Sequence, residues 1–242
     1  MKGSRLSKQS RGKLYLIPVA LGGNDVASLI PPATLDVARR LRTFVIENAK
    51  SARGFLKAIG HPVPLQQIAL HQLDEHTHDV EPLLALLLAG EDCGLMSEAG
   101  CPAVADPGAS LVQRAHDAHI VVVPLVGPSS ILLALMASGM NGQHFAFHGY
   151  LPVDRLERAR RLRELEARAA RETQIFIETP YRNAAMLQAL LEHCRGDTLL
   201  CIAADLTLPA ESVMTHAIAH WQKKPPAVDR RQVVFLLSRR EA

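Results

Sequence analysis

The sequence predicts an α/β fold with a mostly parallel sheet, organised as two domains. Three observations predict it. Short apolar runs of strand length alternate with helical stretches from Leu14 onward. Most strand-like runs lead into loops rich in glycine, proline or polar residues, where open α/β sheets bind their ligands. In the second half the alternation continues, but a long charged helix and an expected antiparallel closure set it apart. A boundary within 123–128 follows, giving domains over 12–125 and 126–242.

The elements follow in order. Leu14 to Ala20 is apolar and β-rich, a first strand, and it ends in LGGND. Thr34 stands where it can cap a helix over TLDVARRL at 34–41. TFVIEN at 43–48 is a second strand, closing on Glu47 and Asn48. SARGFLKAIG at 51–60 is a helix with Gly60 as its stop. DVEPLLALLLAG at 79–90 is a helix that tolerates Pro82 in its first turn, and CGLMS at 93–97 is the next strand. A helix begins at Pro107. IVVVPL at 120–125 is nearly all branched aliphatic, the pattern of a strand covered on both faces. GPSSILLALMAS at 127–138 returns to helix. His144 and His148 alternate around Phe145 and Phe147, as on one strand face. A charged helix at 156–172, a strand at 173–179, a helix at 180–194 and strands at 199–207 and 231–239 complete the chain.

Composition narrows the function. The 242 residues suffice for one large core or two small ones. Aromatics at 4% leave little material for stacking exposed bases. A net charge of +3 permits an anionic partner without arguing for one. The four cysteines, Cys93, Cys101, Cys194 and Cys201, form no CxxC pair, so reduced thiols and a cytoplasmic setting are expected. The first eleven residues read as a loose basic arm. No run approaches the roughly 18 apolar residues that cross a bilayer, so no membrane partner is expected.

Four loops stand at expected strand ends: LGGND at 21–25, ENAKS at 47–51, SEAGCPAVADPG at 97–108 and VGPSS at 126–130. Together they suggest one ligand cleft. They lack the G-x-G-x-x-G and G-x-x-x-x-G-K-S/T patterns of dinucleotide and P-loop sites. Gly127, Pro128, Ser129 and Ser130 open a helix. Its amides and hydroxyls suit a carboxylate or hydroxyl-rich ligand; alternatively Ser129 only caps the helix. Asp106 either caps the following helix or lines the site, and Glu98 is placed to face a ligand. His71, His76 and His78 with Asp74, Glu75 and Asp79 do not form a metal-ligand pattern, so no metal is expected. No G-x-S-x-G marks a hydrolase.

The ordered set of segments resembles one family. GKLYLIPVALG at 12–22, FVIENAKSARGFLKAIG at 44–60, LMSEAGCPAVADPGASLV at 95–112, VVPLVGPSSILLALMASG at 122–139, FAFHGYLP at 145–152 and IFIETPYRN at 175–183 are similar to the tetrapyrrole methylase superfamily of S-adenosylmethionine-dependent methyltransferases. Within it, the chain looks most like the 16S ribosomal RNA cytidine 2'-O-methyltransferases. The resemblance implies two α/β domains with the methyl donor in the cleft between them, not the Rossmann-like methyltransferase fold, and a homodimer. Glu98, Ala99, Gly100, Pro102 and Asp106 would lie against the donor. Gly127, Pro128, Ser129 and Ser130 would form another wall, with Thr179 and Ala203 from the second domain.

The chain also departs from that branch. Val19 to Asp25 replaces a proline-isoleucine-glycine-asparagine-leucine segment, and Glu47-Asn48-Ala49-Lys50 replaces glutamate-aspartate-threonine-arginine. Glu178-Thr179-Pro180-Tyr181-Arg182 stands for glutamate-serine-proline-histidine-arginine, and the branch's C-terminal extension has no evident counterpart. Glu47 is the first candidate for a general base, or else a structural carboxylate accepting loop amides; Glu98 and Glu178 come second. Asn24, Lys50 and Arg182 are the substrate-side candidates, Lys50 and Arg182 meeting phosphate or else making ordinary salt bridges. The stretch 154–172 holds seven arginines against five acidic residues, for an RNA backbone or for charge pairs along a solvated face. Three functions stand open: a methyltransferase of ribosomal RNA, one of a small molecule such as a tetrapyrrole, and a non-catalytic protein keeping the fold.

Overall fold

The computed structural model describes residues 10–23, 25–73 and 79–239. The expected arm therefore falls almost wholly outside the described residues, as do Asn24 and the segment 74–78 with His76 and His78. The chain divides into two units after Pro128.

Unit 1 is built on five parallel strands in the order β3-β2-β4-β1-β5. They are β1 (Lys13–Leu16), β2 (Thr43–Ile46), β3 (Ala69–Gln72), β4 (Cys93–Met96) and β5 (Val121–Pro124). Register is set by side chains that alternate between two apolar layers. Ile17, Phe44, Ile46 and Met96 pack with α2 (Pro32–Arg40) and α3 (Ala49–Ala58). Leu14, Val45, Cys93 and Leu95 pack with α4 (Glu81–Leu88) and α5 (Ala109–Asp117). A short α1 (Val26–Leu29) precedes α2. The connection from β1 runs toward β2, whereas that from β4 runs toward β5. The topological switch point thus falls between the neighbours β4 and β1.

Several expectations are corrected. Thr34 does not cap α2; the helix starts at Pro32, whose fixed φ suits a first turn. The Thr34 hydroxyl instead donates to the Val126 carbonyl at 2.8 Å. Asp106 does not cap α5, whose N-cap is Gly108 at φ 124°. β5 is not covered on both faces. It is an edge strand with Val121 exposed, because an aliphatic run specifies a strand but not its place in the sheet. β3 has no counterpart among the expected strands; its edge position leaves no buried alternation to read.

Unit 2 carries a mixed sheet in the order β6-β7-β10-β8-β9. Its strands are β6 (Phe145–Tyr150), β7 (Thr173–Ile177), β8 (Leu199–Ala204), β9 (Ser212–Ala217) and β10 (Val233–Ser238). β6 and β7 are parallel, and the pairs involving β10 and β9 are antiparallel. β10, apolar at five of six positions, fills the centre. Phe235 stacks on Phe176 at 5.7 Å in a core closed by α7 (Arg155–Arg168), α8 (Asn183–His193) and Trp221 of α9 (Ile218–Lys223). α6 (Ser130–Ser138) lies against β8, β9 and β10. Asp154 caps α7 by accepting the Leu156 and Glu157 amides. Along α7, Glu164 pairs with Arg160 and Arg161, as a solvated charged face would. His148 bonds Gln174 at 2.8 Å, while Arg161 donates to its other ring nitrogen. Burial, with the arginine charges, lowers the His148 pKa against the opposing hydrogen bond that it donates to the Gln174 amide oxygen. Accepting from arginine at Nδ1 places its proton on Nε2.

All four thiols are free, and burial pushes Cys93 and Cys194 up to about 12. No helix among the described residues is long and apolar enough to cross a membrane. Phe235→Ala is expected to lower unfolding free energy by about 3–5 kcal/mol, because the fully buried ring leaves a cavity between two packed layers. Urea denaturation followed by circular dichroism measures it.

Candidate active site

Four loops converge where β2, β4, β1 and β5 end. Their meeting is fixed by a backbone bridge and by a few side chains that bond to backbone groups of the neighbouring loops. Val19, just after β1, pairs with Gly100, just after β4. The Val19 N–H donates to the Gly100 carbonyl at 2.9 Å, and the Gly100 N–H returns a bond at 3.2 Å. This bridge closes the two loops across the switch point. Gly100 has φ 72°, and a Cβ there would stand 3.2 Å from Leu21 Cδ2. A side chain at that position is both strained and tight. On the other side, a Cβ at Gly127 would collide with the Pro18 side chain. The Cys101 thiol points at the Pro128 carbonyl at 3.5 Å.

The 97–108 loop is unusually bent. Ala103 and Ala105 have φ of 64°, beside Gly100 and Gly108 in the same left-handed half of backbone space. Pro102 is buried and fixes the bend, while Glu98 and Ala99 are exposed at its start. Asp106 is half-buried. Burial raises its pKa above the ordinary 3.8, nearby Ser97 partly opposes this, and the Glu98 charge adds to it. The Ser97 hydroxyl is buried but makes no hydrogen bond of normal geometry, so its help to Asp106 is that of a close dipole.

Glu47 follows β2 and receives the Glu98 N–H at 3.3 Å. Of the two readings of Glu47, the amide-accepting one has its partner in place. Asn48 caps α3 by accepting the Lys50 and Ser51 amides at 2.8 and 3.3 Å. Sequence reasoning missed this cap and started the helix at Ser51, although an asparagine before a helical run is a start signal. Lys50 is exposed in the first turn.

In unit 2, Ser129 is the N-cap residue of α6 but makes no side-chain capping bond. The capping reading of Ser129 is thus not realised, and side-chain capping leaves the first amides of this nine-residue helix open. Thr179 and Arg182 belong to a turn after β7. The buried Glu178 carboxylate accepts the Thr179 N–H at 2.7 Å and the Arg182 guanidinium at 2.6 and 2.7 Å. Glu178 is committed to this pair, which removes it as a candidate base. Arg182 makes the salt bridge that was its other reading. Ala203 is fully buried within β8, between Val213 and Val234. Asp205 and Thr207 follow at φ 50° and 69°, with Asp205 paired to Arg231 at 2.7 Å. Among the described residues, no group of three or more histidine, cysteine, aspartate or glutamate side chains is placed to hold a metal ion.

The family described as tetrapyrrole (corrin/porphyrin) methylases matches residues 13–220 of this chain. The chain belongs to this family. As a tetrapyrrole methylase it is an S-adenosylmethionine-dependent methyltransferase, and its α/β architecture is that of the family. It is similar to the ribosomal RNA small subunit methyltransferase I of Vibrio cholerae, 31% identical over 207 residues, covering 85% of this chain and 69% of that protein. The protein of the same name from Mesorhizobium japonicum is 44% identical over 203 residues, covering 84% of this chain and 66% of that one. Among solved structures, the methyltransferase CobJ aligns over 96% of this chain and 97% of its own, with TM-score 0.60 and 18% identity. Uroporphyrin-III-C-methyltransferase from Thermus thermophilus aligns over 95% and 93%, with TM-score 0.56 and 18% identity. At that identity the two structures establish the fold alone.

Gly100→Leu is expected to lower stability by at least the roughly 1–2 kcal/mol of one left-handed residue, with crowding against Leu21 adding to it, while calorimetric binding of S-adenosylmethionine is lost. Native donor affinity in a folded variant would remove Gly100 from the donor site.

Proposed function

We propose that this methyltransferase acts on small-subunit ribosomal RNA, at a ribose 2'-hydroxyl. The observation that supports the acceptor is the similarity, over more than four-fifths of the chain, to proteins named ribosomal RNA small subunit methyltransferase I. In this reading the donor lies in a cleft between the two domains, and the enzyme works as a homodimer. The exposed Leu132 and Met136, one turn apart on α6, offer apolar surface for the second subunit. A cytoplasmic setting accords with four free thiols.

The residues fit a donor held through backbone groups. Gly100, tight against Leu21, and the bent stretch from Glu98 through Ala99 and Pro102 to Asp106 form one wall. Gly127 and Pro128 form the next. The open amides of α6, with Ser129 and Ser130, suit a carboxylate at a helix N-terminus. Thr179 and the β8 end at Ala203 complete the set. Bound S-adenosylmethionine supplies a methyl group on an already activated sulfonium. The chain's own residues then orient the acceptor and exclude water. Glu47 stands at the end of β2, held by the Glu98 amide, and takes the hydroxyl proton. Lys50, exposed in the first turn of α3, meets the acceptor's phosphate. Arg182 acts through Glu178, holding the turn that carries Thr179.

A small-molecule acceptor is the second reading. The altered 19–25 and 47–50 segments would support it if the cleft proved deep and not broadly basic.

Small ribosomal subunits lacking 2'-O-methylation are expected to accept labelled methyl from the native chain. Glu47→Gln should reduce the rate about 100-fold or more, the usual share of a general base, with donor affinity unchanged. Transfer to a tetrapyrrole and none to the subunit would contradict the acceptor. Native turnover by Glu47→Gln would remove the base.

A further inference from the structure

The segment that enters β10 joins two parts of unit 2 that the sheet itself keeps apart. β7 and β8 lie on opposite sides of β10, and both run antiparallel to it. The start of β10 therefore stands between their carboxyl ends. Neighbouring strands lie about 4.8 Å apart, so the turns after β7 and β8 are rooted about 10 Å from each other. In the proposed function those turns carry Thr179 and the β8 end at Ala203 to the donor.

Arg231, two residues before β10, bonds to both sides. On the β8 side its Nε donates to the Asp205 carboxylate at 2.7 Å. Its Nη2 donates to the Ala210 carbonyl at 2.6 Å and to the Ser212 hydroxyl at 3.1 Å. One guanidinium thus spans the turn from the end of β8 to the start of β9. The other Asp205 oxygen accepts the Gln232 N–H at 3.0 Å, and the Asp205 N–H donates to the Gln232 carbonyl at 2.8 Å. On the β7 side the Arg231 carbonyl accepts Asn183 Nδ2 at 2.7 Å, and the Arg230 N–H donates to the Pro180 carbonyl at 3.0 Å. A planar fork of fixed donors holds several acceptors at once, which an ammonium does not.

The backbone here needs such a hold. Asp205, Thr207 and Arg230 have φ of 50°, 69° and 57°. Aspartate enters the left-handed region readily, but a β-branched threonine there is an outlier. Thr207 Oγ1 and Asn183 Oδ1 are buried without a hydrogen-bond partner. Strain of this kind persists where surrounding contacts over-determine the chain, and it gathers at ligand clamps. Six non-glycine residues have positive φ among the described residues, and five of them fall in two places. Ala103 and Ala105 lie in the 97–108 loop, the donor wall proposed for unit 1; the other three lie here.

We propose that Arg231 is a positioning residue for the methyl donor. It sets the turns after β7 and β8 as one piece, so that Thr179 and the end of β8 meet the ligand together. It acts through Asp205, Ala210 and Asn183. The role rests on the reading of these two turns as donor walls.

The test is titration calorimetry of the full chain with S-adenosylhomocysteine, with thermal melting of each variant. Arg231→Ala is expected to raise Kd about 10- to 100-fold, the range seen when an outer partner that orients a binding group is removed. One ligand is still bound per folded chain. Arg231→Lys keeps the charge without the fork and falls between that variant and the native chain. Asp205→Asn keeps the left-handed preference and an acceptor for the Gln232 amide, and gives a smaller rise. Added to Arg231→Ala it costs less than it does alone, because both changes remove one interaction. Native Kd in Arg231→Ala overturns the role, even with a lowered melting temperature and a smaller binding fraction. A purely structural arginine changes how much chain is folded, not how tightly the folded chain binds. Should Arg231→Ala fail to fold, native Kd in both Arg231→Lys and Asp205→Asn overturns the role on the same ground. Thr179→Trp separates the role from the reading beneath it, since a ring on the donor wall should abolish binding. Native affinity in Thr179→Trp, or no binding by the native chain, overturns the donor wall and the role of Arg231 with it. Lost binding in Thr179→Trp beside native affinity in Arg231→Ala overturns the role of Arg231 alone.

Discussion

The bridge between Val19 and Gly100 is the constraint on which the site depends. Parallel strands do not by themselves bring their loops together, since each loop feeds a helix leading away from the sheet edge. At the switch point the loops after β1 and β4 depart in opposite directions. Two backbone hydrogen bonds across that divergence hold them in register. The bridge requires φ 72° at residue 100, and only glycine takes that value without strain beside Leu21. Gly127 against Pro18 and Thr34 against Val126 then draw the loop after β5 onto the same point. A site built this way presents main-chain groups to a ligand, which suits a donor that carries its own chemical activation.

This also explains the tolerance of the 97–108 loop for strain. Ala103 and Ala105 sit in left-handed conformations that each cost about 1–2 kcal/mol. Such values persist only where surrounding contacts over-determine the backbone. Pro102 buried within the loop, Gly108 closing it against Leu95 and the bridge at Gly100 supply those contacts.

Much of this was legible in the sequence, for a physical reason. Buried central strands such as Cys93–Met96 and Val233–Ser238 are written as apolar runs, and glycines at obligatory close approaches cannot be replaced without collision. What escaped was set by tertiary placement. β3 and β9 are edge strands with mixed faces, so no periodicity announces them. β5 reads as buried yet lies at an edge. Asp106 stands two residues before the N-cap of α5 and not at it, because Gly108 takes that turn. Arg182 had two readings of equal chemical sense, and only the position of the buried Glu178 chose between them.

In the proposed function these loops hold the methyl donor. Titration calorimetry of the purified chain with S-adenosylmethionine, repeated with S-adenosylhomocysteine, tests it most directly. Saturable binding of both is expected, with one ligand per chain. Heat from neither ligand would contradict it and leave the fold serving some use other than methyl transfer.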